Sequence, residues 1–299
     1  MEPHYPKPGN GRPPVPLGTM LRMYVVQVAF TLSDEGTEDA LWDSAAVRSF
    51  VGCGDAVPDA TTLCRFRSLL AANGLGRALL DEPDASLEAE GLRMSAGTIV
   101  DATFVEAPSS TKNARKRRDP EAHQAKKGQD RHFGFKAHVG VDAVAGTVHT
   151  LEVTAANAHD LTRAASLVRP GDADVWADSG YTGVSKWVEG TPAASARWHV
   201  ARRKRSVPEA ERPQESMLAS VRSRVEHAFH ALKDLVGLRR TRYRGLSKAT
   251  NQLCAAFAVA NCLLASRRPP LQGPPACAQD RVRLRCELVG VLRAAAAAA

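Results

Sequence analysis

The chain has 299 residues, with 40 Lys and Arg against 32 Asp and Glu and a formal net charge of +8. Hydrophobic residues make up 44% and charged residues 24%, a globular balance that excludes disorder of the whole chain. No apolar run approaches the 18 residues of a membrane span, and residues 1–8 have no apolar core for an export signal.

Residues 1–16 carry six prolines and read as a Pro-rich leader without regular structure. Residues 17–94 read as a helical N-terminal domain. Leu17, Leu21, Val25 and Val28 recur at helical spacing, followed by Leu41, Val47 and Val51. Asp59 or Thr61 can cap a helix running through Leu63, Phe66, Leu69 and Leu70, which Asn73-Gly74 ends. Thr62, Arg65 and Arg67 on that helix suit either a DNA-reading helix or a plain bundle.

The pattern changes at Gly97. Residues 97–107 (GTIVDATFVEA) are rich in β-branched and aromatic residues and predict a strand. Residues 132–142 and 146–155 predict a hairpin beside it, turning at 143–146. A short helix is expected over 160–168 with Asp160 as its cap. Short strands are expected at 174–177 and 198–201. A long amphipathic helix is predicted over about 215–236, with Leu218, Val221, Val225, Phe229, Leu232 and Val236 on its apolar face. Another covers about 246–266. This order predicts a mixed α/β domain over 95–266. The Pro-rich and Ala-rich tail, 267–299, is expected to be disordered.

Three acids stand out. Asp is depleted in strands, yet Asp101 lies between Ile99-Val100 and Ala102. A bare carboxylate there needs a partner or a metal, or else the position faces solvent on an edge. Asp178 ends the apolar run Val175-Trp176-Ala177, where ligand sites gather in α/β sheets, although Asp before Ser-Gly also suits a turn. Arg222, Glu226, His230 and Lys233 share one helical face at spacings of four, four and three. That face is either part of a site or a solvated salt-bridged surface. Two strand acids and one helix acid form a hard-oxygen set suited to Mg²⁺ or Mn²⁺, and two such ions suit in-line displacement at phosphorus. No P-loop, G-x-G-x-x-G or H-E-x-x-H motif is present.

The basic residues are clustered. Residues 112–132 hold eight Lys and Arg against three acids, including Lys112, Arg115, Lys116, Arg117, Lys126 and Lys127. Arg202 and Arg203 open a second run; Arg239, Arg240, Arg242 and Arg244 make a third. Such runs are either solvated loops or the footprint of a phosphate-rich partner, and three in one chain favour nucleic acid. The six cysteines contain no C-x-x-C pair, so they read as reduced thiols, mostly core filler, in a cytoplasmic setting.

Several blocks in order carry a resemblance: residues 97–103 (GTIVDAT), 107–113 (APSSTKN), 118–121 (RDPE), 134–142 (GFKAHVGVD), 154–160 (TAANAHD), 177–181 (ADSGY), 225–227 (VEH), 242–246 (RYRGL) and 251–253 (NQL). Over residues 5–265 the chain resembles the DDE transposases of bacterial insertion sequences, the insertion-sequence-five group. The resemblance implies a ribonuclease-H-like mixed-sheet catalytic core behind an N-terminal helical domain. It implies Asp101, Asp178 and Glu226 as the catalytic and metal-ligating triad, holding two Mg²⁺ or Mn²⁺ ions. Arg222 and Lys233 match a Tyr-x2-Arg-x3-Glu-x6-Lys signature, with Ala219 where the Tyr would be, and are expected to place DNA phosphate. The implied partners are double-stranded DNA, both as terminal inverted repeats and as target, and further copies of the chain in a homo-oligomer; no membrane is implied. Between reactions the protein would be cytoplasmic, and on DNA it would lie in the nucleoid. The match begins at Tyr5-Pro6-Lys7-Pro8, where relatives carry an earlier stretch, so a shortened start is expected. The alternatives are therefore an inactive truncated DNA-binding relic or a related metal-dependent nuclease.

Overall fold

A computed structural model describes residues 1–89, 97–112, 117–202 and 207–266. Arg115, Lys116, Arg203, the stretch 90–96 and the tail 267–299 lie outside the described residues, as does the Lys127 side chain.

The N-terminal helices follow their caps. One 3₁₀ turn, Glu2–His4, interrupts the Pro-rich leader that was expected to be irregular. Helix α1 (Leu17–Ala29) follows Pro16. Ser33 caps α2 (Asp34–Asp43) by accepting from Gly36 N, and Ser44 caps α3 (Ala45–Val51). Asp59, not Thr61, caps α4 (Ala60–Ala72), taking the Thr62 N–H at 2.6 Å. Helix α5 (Gly76–Ala89) completes the layer. Met20, Met23, Leu41, Val51, Leu63 and Leu70 bury a core that also takes in Ala255 from a later helix.

The sheet begins with β1 (Thr98–Glu106), β2 (His123–Lys127), β3 (Asp130–Asp142) and β4 (Val148–Ala155). It continues with β5 (Asp174–Ala177) and β6 (Arg197–Val200). Helix α6 (Ser185–Val188) lies between these last two. Strand β3 pairs antiparallel with β1 on one side; on the other it pairs with β2 along its first part and β4 along its second. Strands β1, β5 and β6 are parallel. An antiparallel hairpin feeding a central strand, followed by parallel strands across it, is the ribonuclease-H-like arrangement that the resemblance implies.

Alternation along β1 sends neighbours to opposite faces. Ile99 and Val105 enter one core with Phe135, Val139, Val225, Leu232 and Phe257. Val100 enters the other with Leu161, Val175, Ala177 and Tyr181. The first face is covered by α7 (Arg212–Arg222), α8 (Arg224–His230), a π turn (Ala231–Leu235) and α9 (Leu246–Ser266). Helix α9 lies between sheet and N-terminal helices. Gly76 of α5 is pressed so close that a Cβ there would stand 2.9 Å from Asn251 Cα.

Four local expectations are corrected. The basic stretch around 123–127 is not loop but β2, held by the pairing of His123 through Lys127 with β3. The expected helix over 160–168 is two 3₁₀ turns, Asp160–Arg163 and Ala165–Leu167, and the first is capped by His159 rather than Asp160. The long helix over 215–236 starts earlier, breaks at Ser223 and widens into the π turn. Among the described residues α9 is long and apolar enough to cross a membrane, contrary to the reading of composition; 72% of its most apolar window is buried inside the fold.

The two halves are joined through a strained corner. Thr31 takes a left-handed backbone conformation (φ 53°), rare for a β-branched residue, and its hydroxyl donates to the Val236 carbonyl at 2.6 Å. The Arg242 guanidinium holds the carbonyls of Thr31 and Leu32.

Candidate active site

Asp101 is not on an edge. Strand β1 runs between β3 and β5, and Asp101 stands opposite Val139 on the face that α8 covers. Its side chain is 16% exposed, and Oδ1 accepts the Ala102 N–H at 2.7 Å. Asp178 follows β5, one strand over, and takes the Gly180 N–H at 2.8 Å. It therefore forms the expected turn and still faces the site. Glu226 comes from α8, which is anchored by Val225, Ala228 and Phe229 in the core and by Arg224 on the Ala143 carbonyl.

These elements enclose one open cleft of about 660 Å³. It is lined by Asp101, Asp178, Arg222, Glu226, His230 and Lys233, with Thr103, Phe229 and Asp234. Arg222 Nη1 lies 3.5 Å from Asp101 Oδ2. His230 Nδ1 pairs with Asp234 Oδ2 at 2.7 Å, and Arg239 pairs with the other Asp234 oxygen. The π turn carries Lys233 and Asp234 into the cleft; such turns recur at functional sites. Asp234 escaped sequence reasoning, although its spacing of four from His230 is a signal that could have found it.

The field in the cleft is legible at Asp101. Burial pushes its carboxyl up to about 6, and Asp178 and Glu226 push the same way. The Ala102 N–H and Arg222 oppose them without prevailing. Asp178 and Glu226 raise the cost of ionising Asp101, and a divalent cation beside these hard oxygen donors would relieve it. Among the described residues, no three His, Cys, Asp or Glu side chains are gathered tightly enough to enclose an ion by themselves.

The other basic residues behave differently from one another. Lys112 and Lys126 are exposed. Arg202 is paired with Glu211 and Glu215, and Arg244 with the Arg117 carbonyl. Arg242 is spent on the corner described above. Arg67 is paired with Asp34 and lies 4.8 Å above the Tyr243 ring, in place of a free base-reading position.

A mixed sheet of this order, with one acid within its central strand, one just past the end of the next strand and one on the covering helix, defines a ribonuclease-H-like α/β core. Residues 93–262 match the Transposase DDE domain family, and residues 1–69 match a second one, Transposase domain (DUF772). The chain belongs to the DDE transposases. No solved structure matches it.

Proposed function

We propose that the chain is an insertion-sequence transposase that cuts DNA at the ends of its own element and joins those ends to target DNA. The observation that carries this reading is the meeting of Asp101, Asp178 and Glu226 with Arg222 and Lys233 on one cleft. Asp101, Asp178 and Glu226 would hold one or two Mg²⁺ or Mn²⁺ ions, which when bound supply Lewis acidity and an activated water at neutral pH. Arg222 offsets part of the Asp101 charge and presents a guanidinium to phosphate oxygens entering the cleft. Lys233 adds a second cation on the same wall.

The reaction is two displacements at phosphorus. In the first, the oxygen of water bonds to phosphorus, the bond to the 3′ oxygen breaks, and that oxygen leaves with a proton as a 3′-OH. In the second, this 3′-OH bonds to a target phosphorus and the target's own 3′ oxygen leaves. No bond between protein and DNA is needed. The DNA would be double-stranded, as terminal inverted repeats and as target, and two ends would be held together by a homo-oligomer in the cytoplasm, on the nucleoid.

Exposed Lys112 and Lys126 would make binding fall steeply with salt. Arg202, Arg242 and Arg244 would first have to exchange protein partners for phosphate. The test is a plasmid assay in which a marker lies between the DNA flanks of this coding sequence and the protein is supplied separately. Marker movement should fall to background for Asp101→Asn, Asp178→Asn and Glu226→Gln, with DNA binding retained. Movement that survives any one of them overturns the assignment.

A further inference from the structure

On the sheet face opposite Asp101 lies a polar cluster that the cleavage reading does not use. Lys136 and His138 are buried in the middle of β3, facing Phe104 and Ala102 of β1. Lys136 Nζ forms an ion pair with Asp160 Oδ1 at 2.9 Å and donates to the Ala158 carbonyl at 2.8 Å. It also lies 5.2 Å from the centre of the Phe104 ring, whose other contact is a stacked His132. His138 Nε2 meets Thr154 Oγ1 at 2.9 Å, and its Nδ1 stands 3.5 Å from Asp160 Oδ1, an electrostatic contact short of a hydrogen bond. Burying this many polar groups in a sheet is costly unless they are arranged for a purpose or fully paired.

The cluster touches both strands of the site. His138 is the cross-strand partner of Ala102, the residue after Asp101. Asp160 opens the 3₁₀ turn that packs against the turn Ser179–Tyr181, which Asp178 itself caps. Tyr181 is 1% exposed, and its hydroxyl has no hydrogen-bond partner among the described residues. Burial raises that hydroxyl's pKa, and so do the nearby charges of Asp160, Asp101 and Asp178. Tyr181 packs with Val100 of β1, Leu161 of the Asp160 turn and Ala177 of β5, and so joins the Asp160 turn to both strands of the site.

We propose that Asp160, held by Lys136 with His138 beside it, is a positioning residue that sets the Asp178 turn against the strand carrying Asp101. It acts through the Tyr181 turn and touches no reacting atom. Supporting groups of this kind, behind metal-ligating carboxylates, typically change metal affinity or activity by about 10–100-fold when removed. This inference rests on the reading of Asp101, Asp178 and Glu226 as a metal-binding set.

The experiment compares wild type, Asp160→Asn and Lys136→Met as full chains, with Asp101→Asn as reference. Binding of Mn²⁺ alone is titrated by the electron spin resonance of the free ion. Cleavage of a duplex carrying one element end gives kcat and KM separately, and a thermal melt reports folding. The expected result is about 10-fold weaker Mn²⁺ binding and at least about 10-fold lower kcat for both variants, with KM for DNA within about twofold. Asp160→Glu should recover part of the loss. If wild type binds Mn²⁺ in a manner that Asp101→Asn abolishes, yet both variants titrate and cleave as wild type does, the positioning proposal falls alone. If wild type shows no Asp101-dependent Mn²⁺ binding and no cleavage, the catalytic reading falls and takes the proposal with it. If Asp160→Asn does not fold, Lys136→Met, which leaves the carboxylate in place, decides. Loss that appears only above a lowered melting temperature, in either variant, overturns positioning in favour of mere stability.

Discussion

Arg222 Nη1 stands 3.5 Å from Asp101 Oδ2, yet the carboxyl it faces holds its proton up to about pH 6. Burial and two neighbouring acids outweigh the guanidinium. The folded chain therefore binds this proton more tightly than the unfolded chain, where an Asp titrates near pH 4. Folding stability drawn from this position is lost as pH rises from about 4 to about 6, at up to about 1.4 kcal/mol per pH unit. Above pH 7 the site stores that cost, as binding sites commonly do.

Asp101→Asn removes the charge and keeps the shape. In metal-free buffer at pH 7.5 the variant should be more stable than wild type, by roughly 1–3 kcal/mol. The gain should shrink towards zero at pH 4, where the wild-type carboxyl is protonated in the folded state. Urea midpoints at the two pH values measure it. A variant no more stable than wild type at pH 7.5 would contradict this account of the cleft.

How much of this was legible beforehand differs from residue to residue. The three acids were visible because each breaks a local rule: an Asp inside a strand, an Asp closing an apolar run, a Glu beside an apolar stripe. The strands around them were visible through alternation. Strand β2 was not, because HQAKK has neither alternation nor β-branched residues; its strand state comes from pairing with β3, a tertiary cause. The break at Ser223 and the π turn were equally hidden, since the apolar period runs through both without interruption. The basic runs gave the sign of the charge but not its engagement. Whether Arg242 meets a phosphate or the Thr31 carbonyl depends on a corner 211 residues away in sequence.

His138 provides a pH dependence of opposite sign. Burial, with Lys136 and Arg163 nearby, lowers its pKa to about 4, against the pull of Asp160. Above about pH 6.5 the imidazole is neutral in both states. Below that, the unfolded chain takes up a proton that the folded chain refuses, so stability is lost as pH falls from about 6.5 towards 4. The stability difference between wild type and His138→Gln should therefore move against wild type across that window, by about 1 kcal/mol or more. Chemical denaturation at pH 7.5, 6 and 4.5 gives the difference directly. A difference that stays flat would mean that the fold does not perturb His138, and one that moves in favour of wild type would mean that His138 is protonated in the fold and paired with Asp160.

The last prediction concerns the joint between the helical layer and the catalytic helix. Arg67 of α4 donates to Asp34 Oδ2 at 2.7 Å and to Gln27 Oε1 at 2.9 Å, with the Tyr243 ring beneath its guanidinium. Arg67 and Asp34 are only 12% and 25% exposed, so the pair is partly desolvated, and removing one partner strands the other. Arg67→Met should cost about 2–3 kcal/mol. Arg67→Lys should cost about 1–2 kcal/mol, because an ammonium can neither pair through two nitrogens nor stack on Tyr243. A double-mutant cycle with Asp34→Asn should return a coupling of about 1–2 kcal/mol, measured from urea midpoints. A coupling below about 0.5 kcal/mol would class the contact with ordinary surface ion pairs. Tyr243 follows Arg242, which grips Thr31, and Thr31 in turn holds the Val236 carbonyl at the end of the π turn that carries Lys233. Loosening Arg67 should thus lower cleavage as well as stability, and Arg67→Met should lose more rate than Arg67→Lys.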